Sequence, residues 1–238
     1  MRIIGHRGAR GEAPENTLGG FQYIHDLGIR AVEFDVRQLN DQSLVIMHDD
    51  NFIRTTAQDK KIYECSKEDL DKYDQSEIWM DWTKFEVTPQ LTNALKIMQD
   101  FEHLEVEIKA VDNYSSAEKL LIALKKQLVG FEATAVITSF DRKIHEVLQQ
   151  MNSNFRRGLL IEDDIKHQAI DDAKKLGCMQ IGWMNQLASD EMIRATQQAN
   201  LDISVWTVND IDRAKQLRDL GVQGLITDFP KTMLAALS

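Results

Sequence analysis

Eight short apolar runs alternate with eight amphipathic stretches along the 238 residues of the chain, and this alternation restricts the fold more than any other feature. The strand-like runs are Arg2 to Gly5, Ala31 to Arg37, Leu104 to Lys109, Ala133 to Ser139, Arg156 to Ile161, Cys178 to Gly182, Ile203 to Val208 and Gly224 to Thr227. Helical periodicity fills the intervals, from Thr17 to Leu27 through to a last short stretch beginning at Lys231. Asn16, Ser139, Ser189 and Asn209 stand where helix N-caps are expected, and glycines 28, 130, 177 and 221 where helices should stop. Strands that alternate with helices pair in parallel and are covered by those helices. Eight such units in a chain of this length predict an α/β fold, a closed (β/α)8 TIM barrel forming one domain over residues 1–238. No Gly-x-Gly-x-x-Gly opens the first helix, so a dinucleotide-binding sheet has little support.

One segment interrupts the rhythm. Leu44 to Met47 reads as a short extra strand, entered through the turn-forming Asn40 to Ser43. From about residue 50 to 88 the chain is polar and irregular, with Trp79, Trp82 and Phe85 interspersed. That is too long for a connection between strand and helix. A small cap inserted after the second strand, over one end of the barrel, is expected.

Chemistry-bearing side chains gather at strand ends. His6 and Arg7 follow the first strand, Glu33 and Asp35 lie in the second, His48 follows the extra strand, and Glu107 and Lys109 end the third of the regular eight. Side chains two apart on a strand share a face, so Glu33 pairs with Asp35 and Glu107 with Lys109. Two desolvated carboxylates on one face repel, and are stabilised by protonation, a cationic partner or a metal. A salt bridge to Arg7 or Arg37 and a divalent cation both satisfy that requirement. Oxygen donors suit Mg²⁺ or Ca²⁺, and Glu107 is a candidate third ligand. Imidazoles titrate near neutrality, so His6 and His48 can act as a base and an acid. Arg7 offers a two-pronged fork for phosphate and Lys109 a second positive charge. Asn16 is expected to cap the first helix with a supporting role at the site. Trp206 is either a substrate contact or a core residue closing the barrel. His25, His103, His145 and His167 are expected at the surface.

Charge and composition remove other classes. A net charge of -10 with no Lys/Arg cluster disfavours nucleic acid and anionic membranes as partners. A small anionic substrate is compatible if an arginine and a cation reverse the field locally. No apolar run reaches the roughly 20 residues that span a bilayer, and no leader pattern opens the chain. Cys65 and Cys178 have no metal-like spacing, so a reducing compartment is the simpler expectation.

Taken in order, His6-Arg7-Gly8, Pro14-Glu15-Asn16-Thr17, Glu33 with Asp35, His48-Asp49, Glu107-Ile108-Lys109, Trp206 to Asn209 and Ile226 to Pro230 resemble the glycerophosphodiester phosphodiesterases. The resemblance runs the length of the chain. It implies a (β/α)8 barrel with a cap, one divalent cation on Glu33, Asp35 and Glu107, and proton transfer by His6 and His48. It also implies a small glycerophosphodiester as substrate and, from the short chain without a leader, a cytoplasmic setting like that of the bacterial members. Asn93 and Glu105 depart from the family's usual pattern. A lipid-directed lysophospholipase D on the same fold and a non-catalytic metal- or phosphate-binding barrel are the competing expectations. The head group, the oligomeric state and the division of labour between the histidines are left open.

Overall fold

The structure, a computed structural model, describes residues 1–237. Nine strands form: β1 (Arg2–His6), β2 (Ala31–Gln38), β3 (Leu44–Ile46), β4 (His103–Ile108), β5 (Ala135–Ser139), β6 (Arg156–Ile161), β7 (Gln180–Met184), β8 (Asp202–Trp206) and β9 (Gly224–Thr227). Eight of them pair in parallel, and β1 bonds both β9 and β2, which closes the barrel. The ninth, β3, lies antiparallel on the outer end of β2, with Val36 opposite Ile46 and Gln38 opposite Leu44. The expected (β/α)8 barrel is therefore present. Individual limits shift by about two residues, as at β7, where the expected start at Cys178 moves to Gln180.

The helices are α1 (Leu18–Asp26), α2 (Ile53–Thr56), α3 (Lys67–Leu70), α4 (Leu91–Ile97), α5 (Tyr114–Gln127), α6 (Arg142–Gln150), α7 (Gln168–Lys175), α8 (Asp190–Gln198), α9 (Ile211–Asp219) and α10 (Pro230–Leu237). Three expected caps are displaced. Thr17 rather than Asn16 accepts from the Gly20 amide, Asp141 replaces Ser139, and Asp210 replaces Asn209; Ser189 caps α8 as expected. In each displaced case a second good cap lies one or two residues further on, and the earlier side chain is used elsewhere.

The apolar core lies between strands and helices. Val32, Phe34 and Val36 face outward on β2 and pack with Leu104, Val106 and Ile108 of β4, beneath α1, α4 and α5. Leu159, Ile161, Ile203 and Val205 do the same on the far side, beneath α7, α8 and α9. The barrel interior is mixed in character. Its floor is a buried polar knot in which the Gln180 amide and the Ser204 hydroxyl donate to Glu105, at 2.9 and 3.2 Å, with His103 Nε2 3.2 Å away. Residues 50–88 lie between β3 and α4 and carry α2, a 3₁₀ turn at Ile62–Glu64 and α3. They pack on a satellite cluster of Leu39, Val45, Met47, Phe52, Ile62, Cys65 and Leu70.

Glycine is required at position 5. A Cβ there would lie 1.9 Å from the Gly8 carbonyl oxygen, so only a hydrogen lets the His6-Arg7-Gly8 loop fold back on its own strand.

Two histidines are corrected. His103 is buried in the floor, and His145, on the inner face of α6 beside Ile144 and Leu148, is completely enclosed. Its Nε2 donates to the Ser139 carbonyl (3.1 Å), while Nδ1 has no partner. Burial pushes its pKa down from 6.5 to about 4. Between those values the unfolded chain binds a proton that the folded chain excludes, so stability falls as pH drops through this window. Chemical denaturation of wild type should show about 2 kcal/mol more loss than His145→Gln on going from about pH 7 to about pH 5. Equal losses would show that His145 is not excluded from protonation.

Candidate active site

The C-terminal strand ends converge on a cavity of ≈ 380 Å³ lined by His6, Arg7, Glu33, His48, Glu107, Lys109 and Trp206, together with Phe140, Leu160, Glu162 and Ile226. Strand pleating selects these side chains. On β1 Ile4 and His6 face inward, on β2 Glu33 and Asp35, on β4 Glu105 and Glu107, on β5 Thr138, and on β8 Ser204 and Trp206.

Glu33, Asp35 and Glu107 are buried, and one oxygen of each lies within 4.8 Å of the others. Asp35 and Glu107 are register partners across β2 and β4, which brings them together. Burial and the neighbouring charge of Asp35 push Glu33 well up from the ordinary carboxylate range and raise Glu107 as well. Burial pushes Asp35 up too, but Lys109 and Arg7 outweigh it and hold Asp35 down. The Lys109 ammonium bonds Asp35 Oδ1 (2.9 Å) and also Glu107. The Arg7 amide donates to Glu33 Oε2 (3.0 Å), and its Nε stands 3.4 Å from Asp35 without a hydrogen bond. Arg37 turns away, donating to the His48 carbonyl and to the Tyr63 hydroxyl. The three-oxygen donor set fits a hard divalent cation: two of the carboxyls are destabilised as anions in its absence, and all the donors are oxygens.

Asn16 sits at φ 56° and its amide donates to Asp35 Oδ2 (2.8 Å). It therefore supports the cluster and leaves the capping to Thr17.

Both imidazoles are oriented by an aspartate. His6 Nδ1 lies 2.6 Å from Asp228 Oδ1, and His48 Nδ1 2.7 Å from Asp49 Oδ1. Ionised carboxylates only accept, so Nδ1 carries the proton in each and Nε2 is left for other partners. Burial lowers the His6 pKa despite Asp228. Asp228 is itself held by the Asn209 amide (2.8 Å). Behind His48, Arg54 donates to Asp49 (2.7 Å) and to Glu15 (2.9 Å). Glu15 also accepts from Arg7 (2.9 Å) and pairs with Arg10 (3.1 Å). Burial pushes Glu15 up, but the bonds from Arg54 and Arg7 win and keep it ionised. Sequence reasoning alone does not single out Asp228, Asp49 and Glu15 as site residues, although each stands inside a motif that the sequence displays. Asp228 lies two residues after the inward-facing Ile226, a spacing that does mark it.

Trp206 donates from Nε1 to the Gly182 carbonyl (3.0 Å) and meets Phe140 edge to face, centroids 5.4 Å apart. It is partly buried and lines the cavity, so packing and substrate contact are compatible.

The sequence profile of the glycerophosphoryl diester phosphodiesterase family matches residues 6–232. The chain belongs to this family. It is 26% identical over 237 residues to a glycerophosphodiester phosphodiesterase of Caldanaerobacter subterraneus, covering 98% of this chain and 96% of that protein. Among solved structures it is similar to an Oleispira antarctica phosphodiesterase in complex with the product sn-glycerol-3-phosphate (TM-score 0.87, 23% identity, 100% and 96% coverage). A glycerophosphodiester phosphodiesterase of Agrobacterium tumefaciens superposes with TM-score 0.83 at 24% identity, with 99% of both chains covered. The resemblance expected from the motifs therefore holds at the level of family and fold. No helix among the described residues is long and apolar enough to cross a membrane.

Replacing Asp228 by Asn should leave the fold intact and release the His6 tautomer. Turnover of glycerophosphodiesters is expected to fall by at least about a hundredfold, with thermal stability changed little. Activity within a few-fold of wild type would show that the Asp228 contact does not set the His6 proton.

Proposed function

We propose that the chain hydrolyses glycerophosphodiesters to glycerol-3-phosphate and an alcohol, using His6 and His48 for proton transfer and one divalent cation, Mg²⁺ or Ca²⁺. The observation that carries this reading is the pairing of two aspartate-oriented imidazoles with three clustered carboxylates around one cavity.

Glu33, Asp35 and Glu107 would hold the cation. When bound, it supplies charge neutralisation at phosphorus and makes a substrate hydroxyl more acidic. The residues do the rest. Arg7 and Lys109 hold the phosphate. His6, kept neutral by burial, accepts a proton at Nε2 from the attacking hydroxyl, whether water or the glycerol 2-hydroxyl, and in the latter case water then opens the resulting cyclic phosphate to glycerol-3-phosphate. His48 is more open to solvent and delivers a proton from Nε2 to the departing alcohol. Asp228 and Asp49 keep both rings in the required orientation. Trp206 packs against the substrate, and Asn16 steadies Asp35.

His48→Ala should lower kcat by more than about a hundredfold, the usual contribution of such a group. A loss below about tenfold would remove the acid–base pair from the mechanism. Calorimetric titration with Mg²⁺ and Ca²⁺ should give about one site per chain, abolished in Asp35→Asn, and chelator should stop turnover reversibly. Undiminished turnover in chelator would exclude the cation.

A second reading has one observation in its favour. Ile78, Met80 and Phe85 in the inserted segment are 50%, 90% and 59% exposed, an apolar edge that a lysophospholipase D would use against acyl chains. Trp79 and Trp82 do not add to it, since they are half-buried and donate to the Arg10 carbonyl (2.9 Å) and Glu86 (3.3 Å). Rates on water-soluble diesters against lysophospholipid micelles separate the two readings.

A further inference from the structure

A second cavity, of ≈ 420 Å³, opens at the other end of the barrel, where the strands begin. The first residues of six strands line it: Arg2, His103, Arg156, Gln180, Asp202 and Gly224. Pleating turns Arg2, His103, Arg156 and Asp202 inward, since each stands two or four positions before an inward-facing residue, respectively Ile4, Glu105, Leu160 and Ser204. Arg218 reaches the same cavity from the end of α9. The polar knot around Glu105 is its inner wall, and the Glu105 side chain separates it from the candidate active site.

The outer part of this cavity is cationic. The chain carries a net charge of -10, yet three guanidinium groups, Arg2, Arg156 and Arg218, meet at this mouth. Arg156 is paired with Asp202, and Arg218 Nε bonds the neighbouring exposed Asp219 (3.3 Å). The Arg2 side chain has no hydrogen-bond or ion-pair partner among the described residues. A layer built only for stability would pair Arg2 as it pairs Arg156. Like charges gathered at one opening attract a small anion.

The inner part has the opposite character. The donors of His103, Gln180 and Ser204 all turn toward Glu105, and the Gln180 amide also donates to the Ser204 hydroxyl (3.1 Å). With the imidazole proton on Nε2, facing the carboxylate, His103 Nδ1 is an acceptor, as is Gln180 Oε1. Neither atom has a partner among the described residues, and neither is sealed from the cavity. A group that enters here must therefore donate. The Glu105 carboxylate behind these acceptors is met by neutral donors alone, so its field favours an ammonium over a hydroxyl.

We propose that this cavity is a second binding site, for a small zwitterion whose carboxylate or phosphate meets Arg2 and Arg218 and whose ammonium is directed at His103 and Gln180. The site stands apart from the hydrolase reading and uses none of the residues assigned to catalysis.

The test is titration of wild type, Arg2→Gln and Arg218→Gln with butyrate, 4-hydroxybutyrate and 4-aminobutyrate, which share a four-carbon acid and differ at the far end. Wild-type affinity should rise in that order, with 4-aminobutyrate at least about tenfold tighter than butyrate. Each arginine variant should weaken all three probes several-fold and leave the order intact. Both arginines are exposed, so their replacement leaves the fold undisturbed. Imidazole resonances locate the probes: His103 should respond in wild type, and His6 and His48 should not. Equal affinity for the three probes, or a reversed order, would overturn the donor requirement and with it the zwitterion. Affinities unchanged in both arginine variants, responses at His6 and His48 in place of His103, or no binding of 4-aminobutyrate would overturn the site, while the hydrolase reading stands.

Discussion

Mutual repulsion among Glu33, Asp35 and Glu107 is the constraint around which the rest of the molecule is arranged. Three carboxyls sharing a space less than 5 Å across, all out of water, cannot be ionised together without positive charge at hand. The chain supplies it from two directions, the Lys109 ammonium just past the strand that carries Glu107 and the Arg7 guanidinium from the first loop, and the neutral Asn16 amide, from just before α1, adds a hydrogen bond. The left-handed backbone at both Arg7 and Asn16 follows from this, because each must turn its side chain back over the barrel mouth. The close folding of Gly5 against Gly8 follows as well. A divalent cation would take over part of that neutralising work, leaving Arg7 and Lys109 free to meet an anionic substrate.

Much of this is legible in the sequence. The eight-fold alternation states the barrel, because each run of outward apolar residues, such as Val32, Phe34 and Val36, is only useful under a helix. Period-two spacing put Glu33 beside Asp35 and Glu107 beside Lys109 without any tertiary information. Other features depended on contacts between distant segments. His145 lies on an amphipathic helix at a position that periodicity leaves ambiguous, and only the packing of α6 against its strands shows it to be enclosed. The caps failed where two suitable residues follow one another, as Asn16 and Thr17 do, since a local rule cannot know that Asp35 claims the first. Asp228 and His6 stand 222 positions apart, and their meeting is a consequence of barrel closure.

Glu105 shows the same limit from the other direction. The sequence marks it as a departure from the family pattern without showing its partners, which are Gln180 and Ser204 on the floor. The network satisfies a carboxyl that would otherwise be costly to bury. Its contribution is to fill the barrel axis below the reactive groups, and the chemistry is confined to the opposite end.

The Glu15 carboxylate has a wider consequence. Three guanidinium groups share it: Arg7 and Arg10 from the first loop, and Arg54 from the inserted segment, which also grips the aspartate behind His48. The insertion is thereby wired to the candidate site. Transplanting that segment from a relative, or trimming it to widen access for bulkier molecules, would carry away one anchor of the second histidine. Any such redesign would have to rebuild the arginine's grip from the barrel side before its effect on selectivity could be read.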